Sequence, residues 1–322
     1  MQADAGTLDS PVVGGTVVKP GVWPDAVAVL TKDGGLCTGT LLAADLVLTA
    51  GHCAAAEAVQ VIVGRVDLEW FGGDVRDVKW SKAYPSWQSS FDVGIVMLEH
   101  PVAAKPRAIA QGCSTRKELV RGTMLDVVGF GLTTTAGDGN NTRLHQAKIG
   151  VTDAACTSEP ACETAVAPGG EFVAGGHGTD ACFGDSGGPV YITTASGPAL
   201  IGVVSRGIAS YGEPCGDGGV YVRADQVVKW IETTSGRMVE RVACDRPADS
   251  GGGSGECEGG DGEGGDGDDS NGDDSNGDCG ASGDDGAGQG GCSAGGEAVG
   301  GAAILFVLSV LWLLSWRRAR RS

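Results

Sequence analysis

Basic residues are scarce in this sequence relative to acidic ones. The chain has 322 residues, with 23 Lys or Arg against 41 Asp or Glu and a formal net charge of −18. Fifteen of the acidic residues lie in 245–297, whereas residues 1–244 hold 26 acidic and 18 basic residues. A mildly acidic body offers no basic surface to a polyanion, which argues against nucleic acid binding.

Closely spaced metal ligands are also missing. None of the 11 cysteines forms a Cys-x-x-Cys pair, and the four histidines are scattered along the chain. A structural zinc site needs such pairs. The aromatic residues are most simply packing residues, so the sequence predicts neither a metal site nor a cofactor.

Residues 245–297 lack aromatic residues altogether and consist largely of Gly, Asp, Ser, Glu and Ala. Such a segment cannot bury enough apolar surface to fold. We predict a disordered acidic linker there. The Asp-rich run between 265 and 271 is interpreted as a solvated spacer, with weak calcium binding as the alternative.

The two ends of the chain predict export. Residues 1–11 have neither the basic start nor the apolar core of a signal peptide, so we interpret them as a propeptide remnant with any export signal upstream. Residues 298–316 form an apolar run long enough to span a bilayer. The four arginines of 317–322 are expected to stay in the cytoplasm, which leaves everything upstream outside.

Residues 12–244 carry short β-rich runs, such as VAVL, VQVIV and ALIGVVS, separated by Gly, Pro, Asp and Asn. This pattern predicts one all-β domain, an antiparallel barrel or sandwich. A single helix is predicted near the end of the domain, where Val227, Trp230 and Ile231 recur at helical spacing. The eight cysteines before the linker form an even set, which indicates disulfides and an oxidising compartment.

Three segments bring together the groups needed for amide hydrolysis by a serine. They are Leu48 to Cys53 (LTAGHC), Phe91 to Ile95 (FDVGI) and Gly184 to Pro189 (GDSGGP). The reaction needs a nucleophilic hydroxyl, an imidazole base, a carboxylate that orients the imidazole, and backbone donors for the oxyanion.

These segments resemble the catalytic segments of the trypsin/chymotrypsin family, in the same order and at similar separations. The resemblance covers about 12–235, including Val12-Val13-Gly14-Gly15, which is similar to that family's mature N-terminus. It implies two packed antiparallel six-stranded β-barrels with a C-terminal helix. It also implies a serine endopeptidase that acts on protein or peptide substrates, and we expect a monomer.

The resemblance assigns a role to each matched position. Ser186 is the expected nucleophile, His52 the general base and Asp92 the residue that orients His52. The amides of Gly184 and Ser186 are the expected oxyanion donors. The expected activation step inserts a Val12 ammonium against Asp185; because Pro11 precedes Val12, another protease is expected to make the cut.

Specificity is expected from Asp180, six residues before Ser186, which matches the floor of the family's primary pocket and predicts cleavage after Arg or Lys. The other matched pocket residues are Ser205, Gly207 and Gly219. Arg206 departs from the family, which usually has Trp there, and predicts altered preference just upstream of the cleaved bond.

The resemblance also implies two disulfides, Cys37–Cys53 around the histidine loop and Cys182–Cys215 across the pocket rim. Elimination then suggests Cys156–Cys162 and Cys113–Cys244, although the sequence leaves the pairing of these four cysteines open.

A second resemblance lies in the tail. Gly291-Cys292-Ser293, the apolar span and the arginine cluster are similar to the MYXO-CTERM sorting signals of myxobacteria. The resemblance implies that a sorting protease acts on the tail and that Cys292 marks processing or lipidation. The span would then be transient and the protein would reach the cell surface or outer membrane; a plain membrane anchor is the alternative.

Two other functions remain open at this stage. One is a catalytically inactive, surface-displayed binding protein that keeps the fold as a scaffold. The other is a structural adhesin, which would rest on the tail alone. The intact serine, histidine and aspartate segments favour the enzyme over both.

Overall fold

The computed structural model describes residues 12–139, 142–208 and 213–245. The propeptide remnant, most of the acidic linker, Cys292, the apolar span and the basic end lie outside the described residues. Those predictions therefore remain predictions. In the described part of the chain, no helix is both long and apolar enough to cross a membrane.

Six antiparallel strands close the first barrel. They are β2 (Ala26–Thr31), β3 (Leu36–Ala43), β4 (Leu46–Thr49), β5 (Ala58–Val63), β6 (Asp74–Ala83) and β7 (Gly94–Leu98). Their order around the barrel is β2-β3-β4-β7-β6-β5. Closure leaves no free strand edge in this barrel, since every strand has two neighbours.

Another six antiparallel strands close the second barrel. They are β9 (Met124–Gly129), β10 (His145–Asp153), β11 (Glu171–Ala174), β12 (Pro189–Thr194), β13 (Gly197–Gly207) and β14 (Gly219–Arg223). The order is β9-β10-β11-β14-β13-β12, and β12 pairs with β9 to complete the ring. The predicted pair of six-stranded barrels is thus confirmed.

Three short strands lie outside the rings. The first, β1 (Thr16–Val17), pairs with β10. The strand β8 (Ile109–Gln111) pairs in parallel with β13, and β15 (Arg241–Ala243) pairs in parallel with β8. The C-terminal strand β15 is therefore attached through β8 to strand β13 of the second barrel.

Strand β4 is buried on both faces, which explains why its apolar residues do not alternate with polar ones. Val47 points into the first barrel, whereas Leu46 and Leu48 point away from it, yet all three side chains are fully buried. Successive side chains of a strand face opposite sides. A strand can be buried on both sides only if its outer face meets a second body, which here is the other barrel.

The barrels meet over one apolar cluster. Leu48 and Ile95 from the first barrel pack in it with Phe130 and Val203 from the second barrel region, and none of the four is exposed. Each such side chain contributes about 1.5–3 kcal/mol when it leaves water. This cluster fixes the relative position of the loops at the barrel junction.

A hydrogen-bonded cluster of Asp25, Arg107 and Tyr191, called the clasp below, also holds the two barrels together at their junction. The Arg107 guanidinium donates to both oxygens of the buried Asp25, at 2.5 and 3.1 Å, and the Tyr191 hydroxyl donates to Asp25 at 2.6 Å. Arg107 also lies over the stacked rings of Trp23 and Tyr191. The charge of Asp25 is thus fully partnered, as burial requires.

Among the described residues, two α-helices and two 3-10 helices (Trp87–Ser89 and Ala224–Gln226) accompany the strands. The predicted C-terminal helix is confirmed as α2 (Val228–Ser235), which ends at Gly236 with φ of 69°. The short helix α1 (Gly51–Ala55) was not predicted, because five residues are too few to show helical periodicity.

All four disulfides are formed as expected, including the two pairings that the sequence left open. Cys37–Cys53 and Cys182–Cys215 flank the site described below, while Cys113–Cys244 ties β15 to the second barrel and Cys156–Cys162 closes a short loop. Four bridges in one domain are typical of an oxidising compartment.

The two bridges with the most different spans give a test of what they do. Cys113–Cys244 closes 131 residues and Cys156–Cys162 only 6. Loop entropy predicts that C113S/C244S lowers the free energy of unfolding by about 5 kcal/mol and C156S/C162S by about 2 kcal/mol. Denaturant titration measures both losses; equal losses, or the reverse order, would contradict the prediction.

Candidate active site

The predicted base and its carboxylate come from adjacent loops of the first barrel. Strand β4 runs directly into α1, which carries His52, and Asp92 precedes β7. The Nδ1 atom of His52 lies 3.0 and 3.2 Å from the two Asp92 oxygens, and the His52 backbone N–H donates to Asp92 Oδ1 at 3.0 Å. One carboxylate therefore holds both the ring and the backbone of His52.

The second barrel contributes to the same carboxylate. The Ser205 hydroxyl donates to Asp92 Oδ2 at 2.8 Å, and both residues are buried. Burial opposes ionisation of Asp92, but the hydrogen bonds from His52 and Ser205 and the charge of His52 outweigh it and hold the pKa of Asp92 below its ordinary value. Asp92 is thus ionised, and its two oxygens accept hydrogen bonds from His52 and Ser205.

His52 itself is accessible. About one third of its side chain is exposed, and the Trp87 ring lies beside it with 6.1 Å between ring centres. An imidazole with Nδ1 against a carboxylate leaves Nε2 for a second partner. The residue is therefore arranged to exchange a proton on its exposed side.

The loop that carries Ser186 is braced from the first barrel by Thr38. The Thr38 hydroxyl donates to the Gly184 carbonyl at 2.8 Å, and the Thr38 backbone N–H donates to the Ser186 carbonyl at 2.9 Å. Gly184 has φ of 100°, which a side chain would strain. Thr38 was not among the predicted site residues, since one threonine within an apolar strand has no distinguishing signal.

The carbonyls of Gly184 and Ser186 accept hydrogen bonds from Thr38, but the N–H groups of the same two residues remain to be accounted for. In residues 12–139, 142–208 and 213–245, no acceptor receives a hydrogen bond from the N–H of Gly184 or Ser186. Both N–H groups are thus available to an external acceptor, and their role as oxyanion donors remains a prediction.

Asp180, predicted to form the floor of the primary pocket, is fully buried. Its carboxylate accepts hydrogen bonds from the Ala181 and Gly218 amides at 2.7 and 3.2 Å and from the Tyr221 hydroxyl at 3.2 Å. Burial outweighs these bonds and raises its pKa to about 6. Tyr221, expected only as a packing residue, is therefore part of this site.

Glycine keeps the space beside Asp180 open. A Cβ on Gly219 would stand 3.1 Å from Asp180 Oδ1 and 3.0 Å from the Tyr221 hydroxyl. A Cβ on Gly207 would stand 3.5 Å from the Pro214 carbonyl. A side chain at position 219 would crowd the Asp180 carboxylate, whereas one at position 207 would make an ordinary contact with Pro214.

Asp185 is completely buried next to the predicted nucleophile. It accepts from the amides of Gly131 and Cys182 at 2.8 and 2.9 Å, and none of the described cationic side chains pairs with it. Burial raises its pKa to about 7. A Cβ on Gly129 or Gly131 would come within 2.1 to 2.3 Å of the carboxylate, so the cavity around it admits only glycine.

The expected new N-terminus lies in the second barrel. Val12 is fully buried in that barrel's apolar cluster, and the Val13 carbonyl accepts a hydrogen bond from the Asp180 amide at 3.1 Å. The segment is thus packed beside the predicted pocket and the loop of Asp185.

Arg206, predicted to alter the preference just upstream of the cleaved bond, has about one third of its side chain exposed, and its effect on specificity remains a prediction. Its guanidinium forms an ion pair with Glu171 at 2.8 Å and donates to the Ala161 carbonyl. Glu171 is fully buried, and no role was predicted for it because a single glutamate belongs to no motif.

One cluster of potential metal ligands occurs in the described part of the chain. It consists of Cys37, Cys53 and His52, whose ligand atoms lie within 4.8 Å of one another. The two sulfur atoms are joined in a disulfide and offer no thiolate to a metal. The cluster is therefore not a metal site.

Two six-stranded barrels with serine, histidine and aspartate loops at their junction define a class of serine proteases. The family model described as Trypsin matches residues 12–231. The chain therefore belongs to the trypsin family of serine proteases, whose substrates are proteins.

Two curated relatives agree with this assignment. A protein named Trypsin from Saccharopolyspora erythraea is 32% identical over 226 residues, covering 66% of this chain and 92% of that protein. Coagulation factor XII from Sus scrofa is 29% identical over 255 residues, covering 70% of this chain but only 40% of that protein. The shared part is the barrel domain.

Asp185 is buried without a cationic partner among the described side chains, which predicts that the stability of the protein depends on pH. Its folded pKa of about 7 lies above the ordinary 3.8, so ionisation costs the folded state more as the pH rises from about 4 to 7. In the chain that carries residues 1–11, the stability of the unmodified protein relative to Asp185→Asn should fall by on the order of 4 kcal/mol over this range. Denaturant titration at each pH measures it.

Asp45→Asn is the matched control with the opposite sign. Arg237 lowers the pKa of Asp45, so the unmodified protein should gain stability relative to this variant as the pH rises. A flat difference for Asp185→Asn would contradict the assignment of an uncompensated carboxylate.

Proposed function

We propose that the protein is a serine endopeptidase in which Ser186 is the nucleophile, His52 the general base and Asp92 the residue that orients it. One observation supports this most strongly. Asp92 is a buried, ionised acceptor that receives His52 Nδ1 from one barrel and Ser205 from the other. Such an arrangement leaves the exposed His52 Nε2 as the proton acceptor.

The reaction proceeds through an acyl-enzyme. Ser186 Oγ attacks the scissile carbonyl while His52 accepts its proton, and His52⁺ then gives the proton to the leaving amine. Water attacks the ester in the second half, with His52 again as base. The amides of Gly184 and Ser186 stabilise the oxyanion, and Thr38 contributes by engaging the two carbonyls of the same loop.

The substrate residue before the cleaved bond is arginine or lysine in this proposal. Asp180 is buried, is surrounded by neutral donors and has a raised pKa, so a bound cation stabilises its ionised form. Gly219 leaves the space beside Asp180 free of a side chain, and in this proposal Gly207 lines the same pocket.

Activation in this proposal also depends on a cation that stabilises the ionised form of a buried carboxylate, here Asp185. Cleavage before Val12 produces an ammonium close to the segment that packs beside Asp180, and this ammonium supplies the cation that Asp185 lacks. Ordering of the Asp185 loop then sets the neighbouring oxyanion amides.

The four disulfides support export to an oxidising compartment. We propose that the acidic segment 245–297 tethers the domain to the cell surface, and that Cys292 is where the tail is processed or lipidated. This part rests on the sequence, because these residues lie outside the described structure.

The nucleophile is tested by Ser186→Ala, with the exposed Ser196→Ala as the matched control. Loss of the hydroxyl should lower kcat by on the order of 10³-fold or more with folding intact, because no group replaces the nucleophile. Peptide hydrolysis by the protein matured at Val12 measures the change, and a fluorophosphonate should label all forms except Ser186→Ala. Equal activity or equal labelling of Ser186→Ala would contradict Ser186 as the nucleophile, whereas no hydrolysis and no labelling of the unmodified protein would favour the inactive binding protein.

Specificity is tested by Asp180→Ser, with the exposed Glu213→Gln as a control of equal charge change. Cleavage after Arg and Lys should fall by about 10²-fold or more, since a buried ion pair is lost, while the control keeps the preference. A peptide library read by mass spectrometry measures both. Cleavage of the unmodified protein mainly after Phe, Leu or Ala would refute the proposed pocket.

A further inference from the structure

The guanidinium of Arg206 makes five hydrogen bonds within the protein, although about one third of the side chain is exposed. An arginine has five N–H donors and no acceptor, and Arg206 makes five contacts that match them. These are Nε and Nη2 to the Ala161 carbonyl (2.8 and 2.6 Å), Nη1 and Nη2 to the two Glu171 oxygens (2.8 Å each), and Nη1 to Ser205 Oγ (2.9 Å).

The last of these contacts decides the direction of a hydroxyl. Ser205 Oγ has one hydrogen, and its position is free to rotate unless the surroundings restrict it. Because Arg206 can only donate, Ser205 Oγ must accept from it. The single hydrogen of Ser205 is then directed to the remaining partner, Asp92 Oδ2, at 2.8 Å.

Glu171 keeps Arg206 in this position. Its carboxylate is fully buried on β11, receives both Nη atoms of Arg206 and also accepts from the Glu163 amide at 2.8 Å. A planar, two-pronged pair of this kind fixes the guanidinium in orientation as well as in distance.

We propose that Arg206 is a positioning residue for the reaction: held by Glu171, it forces the Ser205 hydroxyl to donate to Asp92 and thereby sets how strongly Asp92 accepts from His52. The proposal rests on the proposed roles of Asp92 and His52. It extends the catalytic arrangement to the loop of the Cys156–Cys162 disulfide, which contains Ala161.

The sign of the effect follows from competition at one carboxylate. A hydrogen bond from Ser205 that is polarised by Arg206 withdraws electron density from Asp92. Without it, Asp92 accepts more strongly from His52 and stabilises the imidazolium. The acidic limb of the profile of kcat/KM against pH should then move to higher pH.

The test removes Arg206 and Glu171 together, because Arg206→Met alone would leave a buried carboxylate unpaired. The pair-deleted variant, R206M/E171Q, keeps the net charge unchanged. Its acidic limb should move up by roughly 0.3 pH unit, and its kcat/KM at low pH should therefore fall about twofold. In the Ser205→Ala background, the same two substitutions should change neither quantity.

A control variant covers a failure of the pair-deleted protein to fold, which thermal unfolding detects. Arg206→Lys keeps the charge beside Glu171 but lacks the planar fork that places a donor on Ser205. It should shift the limb in the same direction, again only when Ser205 is present. No shift in a folded variant, or an equal shift in the Ser205→Ala background, would overturn the proposal.

A second measurement does not depend on turnover. In Ser186→Ala protein, the proton between His52 Nδ1 and Asp92 is followed by NMR; pair deletion should move it further downfield with Ser205 present and leave it in place with Ser205→Ala. An unmodified protein that hydrolyses no peptide would contradict the proposed function. An unmoved resonance in the folded pair-deleted protein would contradict the role of Arg206 alone.

Discussion

The site shared by the two barrels depends on the Asp92 carboxylate, because residues of both barrels donate hydrogen bonds to it. It accepts from His52 of the first barrel and from Ser205 of the second, within 3.0 Å in each case for Oδ2. Both contacts require the barrels to be docked to within a fraction of an ångström, because hydrogen bonds weaken steeply with distance and angle. The apolar cluster around Leu48 and Phe130 and the clasp around Asp25 supply that docking. Packing far from the chemistry therefore sets its geometry.

Four buried carboxylates show how neighbours decide the state of one functional group. Asp92 is surrounded by donors that stabilise its charge, and Glu171 is paired with an arginine. Asp180 and Asp185 receive mainly backbone amides, and burial raises the pKa of both. The last two are incomplete as ionised groups without a cation. In the proposed function, substrate supplies one cation and the cleaved N-terminus supplies the other, so binding and activation use the same physical principle at adjacent residues.

Much of the architecture followed from the sequence. Short apolar runs between turn residues indicated the β strands, and matched segments indicated the two barrels, α2 and two of the disulfides. Helix α1 is too short to show a period, and β8 and β15 are three-residue parallel pairings between distant parts of the chain. The position of Thr38 beside Gly184 was equally invisible, because residues 146 apart meet only through barrel closure and docking.

The sequence alone determined which chemistry is present: a serine in a glycine-rich turn, a histidine after an apolar strand, an aspartate before another, and an aspartate six residues before the serine. These features are local, so composition and order reveal them. Only the tertiary structure decided how the groups act on one another. Arg206 donates to both Ser205 and Glu171 because the fold brings Glu171, 35 residues away on β11, within hydrogen-bond distance of its guanidinium. Direction and burial arise from packing between distant segments, and no local pattern encodes them.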